Sequence, residues 1–92
     1  MVRVKQSGGY STLLEDLCLE NEDLEKLIEQ KVNLFKKNPN DTRLKNHPLT
    51  KRMKGKWAFN ITEDIRIVYK WVGKTTVRFL AIGRHAQVYT KS

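Results

Sequence analysis

Apolar positions recur along this chain with two different periods. Val2-Arg3-Val4-Lys5 alternates apolar and cationic residues, the pattern of a short strand. Gly8-Gly9 is expected to break it. Thr12 and Glu15 then stand at capping-box spacing, and Leu13, Leu14 and Leu17 follow as the apolar face of a first helix. A second helix is predicted over 22–37, where Leu24, Leu27, Ile28, Val32 and Phe35 recur at helical spacing. Asn21 is a good N-cap for it, Glu22 and Asp23 suit its positive end, and Lys36 and Lys37 suit its negative end. Asn38-Pro39-Asn40 stops it. So short a connection between the helices predicts an antiparallel hairpin.

From 40 to 56 the chain is polar and cationic, punctuated by His47-Pro48 and Gly55, and it is read as a loop. A period of two then takes over. Trp57, Phe59 and Ile61 alternate with Ala58, Asn60 and Thr62, and Ile65, Ile67, Tyr69 and Trp71 alternate with Arg66, Val68 and Lys70. Gly73-Lys74 marks a hairpin turn, and 77–82 form another strand that Gly83 is expected to end. The order is strand, two helices, then an antiparallel meander of three strands. That is an α+β domain with helices on one sheet face and its arginines and lysines pointing outward from the other. Ninety-two residues suit a single domain, spanning 1–92, with one modest core.

Composition agrees with a folded chain, since 39% of its residues are hydrophobic. No apolar run approaches the roughly 18 residues a membrane span needs, and the N-terminus lacks a signal-peptide apolar core. The lone Cys18 cannot form an internal disulfide and is expected to pack as a small hydrophobe, which fits a cytoplasmic location. Charge is segregated. Residues 1–29 hold three Lys/Arg against seven Asp/Glu, a net of −4, whereas residues 30–92 hold fifteen against three, a net of +12. An acidic helical exterior and a cationic working surface follow, and the polyanion that best fits such a surface is nucleic acid.

No metal or cofactor is expected, because two distant histidines and one cysteine, without clustered carboxylates, match no standard ligand spacing. Gly73-Lys74-Thr75-Thr76 resembles the end of a phosphate-binding loop, but Val68 occupies the place of the required glycine and the segment lies in a hairpin turn. The residues suited to chemistry are fewer. His85, after a glycine at a strand end, and His47, held extended by Pro48, can exchange protons near neutral pH. Asp64 is either a base, a residue that orients a cation, or a turn carboxylate joining two strands. Arg66 and Arg78 interrupt apolar strands, so they project from the exposed face, where a guanidinium can clamp phosphate through two bonds. Lys51, Arg52, Lys54 and Lys56 form a basic run. Tyr89 can stack a base or pack the C-terminal segment.

These residues are arranged in a familiar order: His47-Pro48-Leu49, Lys54-Gly55, Asp64 ahead of the central strand, Gly83-Arg84-His85, and an aromatic, Tyr89, four residues further on. The arrangement resembles the RelE/ParE superfamily of toxin–antitoxin toxins and, within it, the YafQ-like messenger-RNA endonucleases. It covers nearly the whole chain and is densest over 44–89. In the wider superfamily an arginine in Arg-hydrophobic-Val-Tyr supports the transition state, and Arg66-Ile67-Val68-Tyr69 matches it here. Two positions depart from the pattern. Asn60 stands where a YafQ-like toxin has a further histidine, and Lys51 stands where many relatives have glycine.

The resemblance implies the toxin of a type II toxin–antitoxin pair, acting on messenger RNA in the ribosomal A site of the 70S ribosome and bound by a cognate antitoxin protein. It implies cleavage by the RNA's own 2′-hydroxyl. Asp64 or His47 accepts the proton, His85 protonates the departing 5′-oxygen, and Arg66 with Lys54 or Lys56 stabilises the added negative charge. Lys51, Arg52, Arg78, Arg84 and Tyr89 would complete the RNA contacts. The alternatives are a ParE-like toxin that inhibits DNA gyrase by binding, and an inactive relative kept for antitoxin binding and autoregulation.

Overall fold

The computed structural model describes residues 1–84, so His85 and Tyr89 lie outside the described residues. The elements run β1 (Arg3–Gln6), α1 (Gly8–Glu20), α2 (Glu22–Lys37), β2 (His47–Pro48), β3 (Trp57–Asn60), β4 (Ile65–Trp71) and β5 (Thr76–Arg84), with single 3₁₀ turns at Thr42–Leu44 and Lys51–Met53. The strands form one sheet in the order β1-β5-β4-β3-β2. β1 runs parallel to β5, and the remaining pairs are antiparallel. The α+β order and the meander are as expected. No helix among the described residues is long and apolar enough to cross a membrane.

Four local expectations are corrected. α1 begins at Gly8, with Ser7 as its cap: Ser7 Oγ accepts from the Tyr10 N–H at 3.1 Å. Thr12 lies inside the helix, where its hydroxyl donates to the Gly8 carbonyl. The Gly8-Gly9 pair therefore opens a helix, because the first turn needs a capping oxygen more than it needs helix-forming residues. The presumed loop contributes a fifth strand, with His47 paired to Ala58 and Pro48 to Trp57. Proline donates no hydrogen bond, which is compatible with the edge position β2 occupies. Gly83 does not end β5 but pairs with Arg66 inside it.

The fourth correction concerns the sheet's second face. Phe35 of α2 is fully buried at the centre of the main core, stacked on Phe59 at 4.4 Å between ring centroids and edge-on to Tyr69 at 4.9 Å. Tyr10, Leu17 and Ile28 add the helical side, and Ile65, Ile67, Val77, Phe79 and Ile82 the sheet side. Ala58, Val68 and Met53 form a small separate cluster with Leu49, Leu80 and Ala81. The 3₁₀ turn carrying Met53 thus roofs part of the face that was expected to be bare.

A register shift between Val68 and Tyr69 makes this second cluster possible. Val68 pairs with Ala81 and Tyr69 with Phe79, so Leu80 is the extra residue of a bulge. Leu80 and Ala81 can then both serve the small cluster, while Ile82 returns to the main core. Ser7 closes the bulge: its N–H donates to the Phe79 carbonyl at 3.0 Å and its hydroxyl to the Leu80 carbonyl at 3.2 Å. One serine therefore caps a helix and satisfies a strand 73 residues away.

Candidate nucleic-acid interface and active site

Side chains of residues paired across a sheet lie on the same face, and successive residues alternate. Ala58 belongs to the small cluster opposite the helices, so its partner His47 presents its imidazole on that face. Two residues further along β3, Asn60 pairs with Arg66, which pairs in turn with Gly83. At the other end of the sheet, Arg78 pairs with Lys70 on one side and with Lys5 on the other. The face away from the helices therefore carries an end row of Arg66 and Asn60, a middle row ending in His47, and a cationic row of Lys5, Arg78 and Lys70. Four residue steps along β4 separate Arg66 from Lys70, roughly 13 Å at strand rise.

His47 is exposed, and its Nδ1 lies 2.9 Å from the Lys45 carbonyl. A carbonyl can only accept, so Nδ1 carries the hydrogen and Nε2 of the neutral ring holds the lone pair. Two contacts hold this segment in place. The Tyr69 hydroxyl donates to Asn46 Oδ1 at 2.7 Å, and Asn46 Nδ2 donates to the Pro39 carbonyl at 3.0 Å. Burial pushes the Tyr69 phenol up to about 12, so it remains a donor throughout the neutral range. Asp41 caps the preceding turn by accepting from the Arg43 backbone and guanidinium, which hold its carboxylate down to about 2.

Arg66 is half-buried, and its Nε donates to Asn60 Oδ1 at 3.0 Å. Asp64 sits in the turn between β3 and β4, where Thr62 Oγ1 accepts from the backbone N–H groups of Asp64 and Ile65. Its carboxylate forms an ion pair with Arg84, Oδ2 lying 3.2 Å from Nε, and Arg84 Nη1 lies 3.9 Å from Glu20 Oε2 at the end of α1. Arg84 pairs with Ile65, a residue of the main core, and so leans toward the helices. Asp64 and Arg84 thus meet at the sheet's end rather than in the Arg66 row. Lys51 and Arg52 are exposed on the 3₁₀ turn above the small cluster, and Lys54 and Lys56 flank Gly55 on the approach to β3. Gly55 adopts φ +91° and Lys51 φ +57°, so a glycine at position 51 would suit the backbone found here.

Lys5 and Lys70 join the candidate cations through their pairing with Arg78, and strand parity is the signal in the sequence that marks them. Like charges directly opposite on a sheet repel, and an anionic ligand relieves that repulsion. Asn46 carries no comparable mark in the sequence, because its partners, Tyr69 and Pro39, are chosen by the fold. Among the described residues no group of three His, Cys, Asp or Glu could hold a metal ion. Cys18 lines a groove of about 220 Å³ between the helices, with Tyr10, Leu14, Ile28 and Val32, and burial followed by Glu25 pushes its thiol up. That favours a packing role.

A family model, described as the bacterial toxin of a type II toxin–antitoxin system, YafQ, matches residues 2–90. The fold is similar to the crystal structure of YafQ from E. coli strain BL21(DE3), at 22% identity and TM-score 0.79, over 97% of this chain and 99% of that one. A YoeB/ParE toxin from Agrobacterium tumefaciens matches at 20% identity and TM-score 0.77, over 91% and 99%. An E. coli DinJ–YafQ complex matches at 22% identity and TM-score 0.69, over 97% and 99%. At these identities the solved structures show a common fold. A comparison with curated proteins gives no match.

Proposed function

Because this chain belongs to the YafQ family of type II toxin–antitoxin toxins, we propose that it is a ribosome-dependent, metal-independent endonuclease of messenger RNA. The observation that carries the proposal is the gathering of Arg66, His47 and the Lys5–Arg78–Lys70 row on the sheet face away from the acidic helices. An RNA strand lying along that face would meet a guanidinium at one end, cations at the other, and an imidazole between them.

The reaction breaks the P–O5′ bond after the 2′-hydroxyl attacks phosphorus, leaving a cyclic phosphate and a 5′-hydroxyl. His47 is favoured over Asp64 as the base, because it lies on the face that carries Arg66, whereas Asp64 meets Arg84 at the sheet's end, outside the Arg66 row. Arg66 stabilises the charge that develops on the phosphoryl oxygens, aided by Lys54 or Lys56. His85 protonates the departing 5′-oxygen. Lys51, Arg52 and Arg78 hold the RNA backbone, Tyr89 stacks on a base, and Arg84 can trade its carboxylates for phosphate, since exposed ion pairs are worth only about 0–1 kcal/mol. An antitoxin restrains the toxin, as DinJ is complexed with YafQ in the solved relative. An acidic antitoxin segment would suit the cationic face, and action on ribosomes places the protein in the cytoplasm.

The test is purified protein added to ribosomes programmed with messenger RNA. Cleavage within the A site, leaving a cyclic phosphate and abolished by a 2′-deoxy substitution at the scissile position, is expected. An intact message together with inhibition of DNA gyrase would overturn the reading in favour of a binding toxin.

A further inference from the structure

Among the described residues Asn60 is the one buried polar side chain, only 8% exposed. A buried amide is costly unless it is hydrogen-bonded, and here Oδ1 accepts from Arg66 Nε at 3.0 Å. The two residues are also direct partners across β3 and β4, so the backbone ladder fixes their separation. We infer that Asn60 is a positioning residue that sets the plane of the Arg66 guanidinium for phosphate recognition. This inference rests on the proposed RNA cleavage at the same site.

A guanidinium can grip two phosphate oxygens side-on, through Nε and one Nη, or end-on, through both Nη atoms. With Nε given to Asn60, the side-on grip is disfavoured for as long as that bond holds. An amide also suits this position better than an imidazole would. An imidazole accepts a hydrogen bond only when neutral, so it would hold Arg66 only at higher pH, whereas an amide accepts at every pH. Proton transfer is thereby left to other residues, and orientation of the cation becomes independent of pH.

The experiment compares the wild type with Asn60→Ala and Asn60→His, using two readouts. The first is the exchange protection of the Arg66 Nε–H in ¹⁵N NMR spectra of the free protein. The second is single-turnover cleavage on programmed ribosomes between pH 5.5 and 8. Asn60→Ala should lose the protection and cleave about 10–10²-fold more slowly at saturating toxin, with the half-saturating concentration little changed, as for a lost hydrogen bond to a charged group. Asn60→His should cleave close to the wild-type rate at pH 8 and fall progressively behind it below about pH 6.5. Equal protection of Arg66 in wild type and Asn60→Ala would overturn the inference. So would wild-type cleavage by a folded Asn60→Ala, or an Asn60→His profile that rises toward low pH, since that would mark the ring as a proton donor. If the wild type cleaves nothing while Asn60→Ala still loses protection, the cleavage reading fails and the positioning contact stands.

Discussion

The proposed role of His47 as base rests on a backbone carbonyl: the Lys45 carbonyl accepts the Nδ1 hydrogen and leaves the lone pair on Nε2. His47→Ala is expected to slow the cleavage step about 10²–10⁴-fold while barely altering RNA binding. His85→Ala should do the same from the acid side, and wild-type rates from either folded variant would remove that residue from the mechanism. Arg66→Ala differs, because it removes a full charge and should impair both binding and turnover. The tyrosines give a pH prediction. Burial pushes Tyr10 and Tyr69 up to about 12 from an ordinary value of 10, so the native state keeps two protons that the unfolded chain gives up first. Their contribution to stability is complete below pH 10 and is lost as pH rises from 10 toward 12. Thermal melts should therefore show Tm falling through that window, and phenolate absorbance for these two rings should appear only as the protein unfolds. A Tm flat to pH 12 would show that the rings are exposed.

At the scale of elements, the joint between α1 and β5 and the turn ahead of β3 are the informative places. Ser7 caps α1 and also bonds the carbonyl at the β5 bulge. Ser7→Ala should cost about 1 kcal/mol for the cap and about 1 kcal/mol more for the lost bond to Leu80. Denaturant unfolding should report a loss near their sum, and a loss below about 0.5 kcal/mol would mean that water replaces both contacts. Lys51 offers the opposite case. Its φ of +57° strains any residue with a β-carbon, and a β-branched one most of all. Lys51→Gly should leave Tm at or above the wild-type value, and Lys51→Val should lower stability by about 1–2 kcal/mol. Equal stability of the two variants would contradict the left-handed conformation.

The whole molecule is electrostatically two-faced, with residues 1–29 at −4 and residues 30–92 at +12. Such a particle should orient toward a polyanion before it makes any specific contact. With about five cations on phosphates, the slope of log K against log salt for a short free RNA should be roughly −3.5, and each of Lys5→Ala, Lys70→Ala and Arg78→Ala should reduce its magnitude by about 0.7. A slope near zero, or one that these three substitutions leave untouched, would move the RNA off the sheet face.

Much of this fold was legible in the sequence because it is encoded over a few residues at a time. Helical spacing and its caps gave α2 with the same bounds, 22–37, that the structure shows. Strand alternation put Arg66 and Arg78 away from the core, and the segregation of charge separated the acidic hairpin from the cationic strands. The tertiary structure alone decided where distant segments meet. Nothing local to His47-Pro48 says that these two residues pair with β3, since the hydrogen bonds that make β2 a strand belong to another element. The bulge at Leu80 depends on a serine at the far end of the chain. Asn46 becomes an anchor for the His47 segment through Tyr69, and Asn60 becomes a holder of Arg66 through the strand register. An asparagine in a sequence carries no mark of its partner. Only packing, by excluding water from its amide, fixes which donor or acceptor it must find.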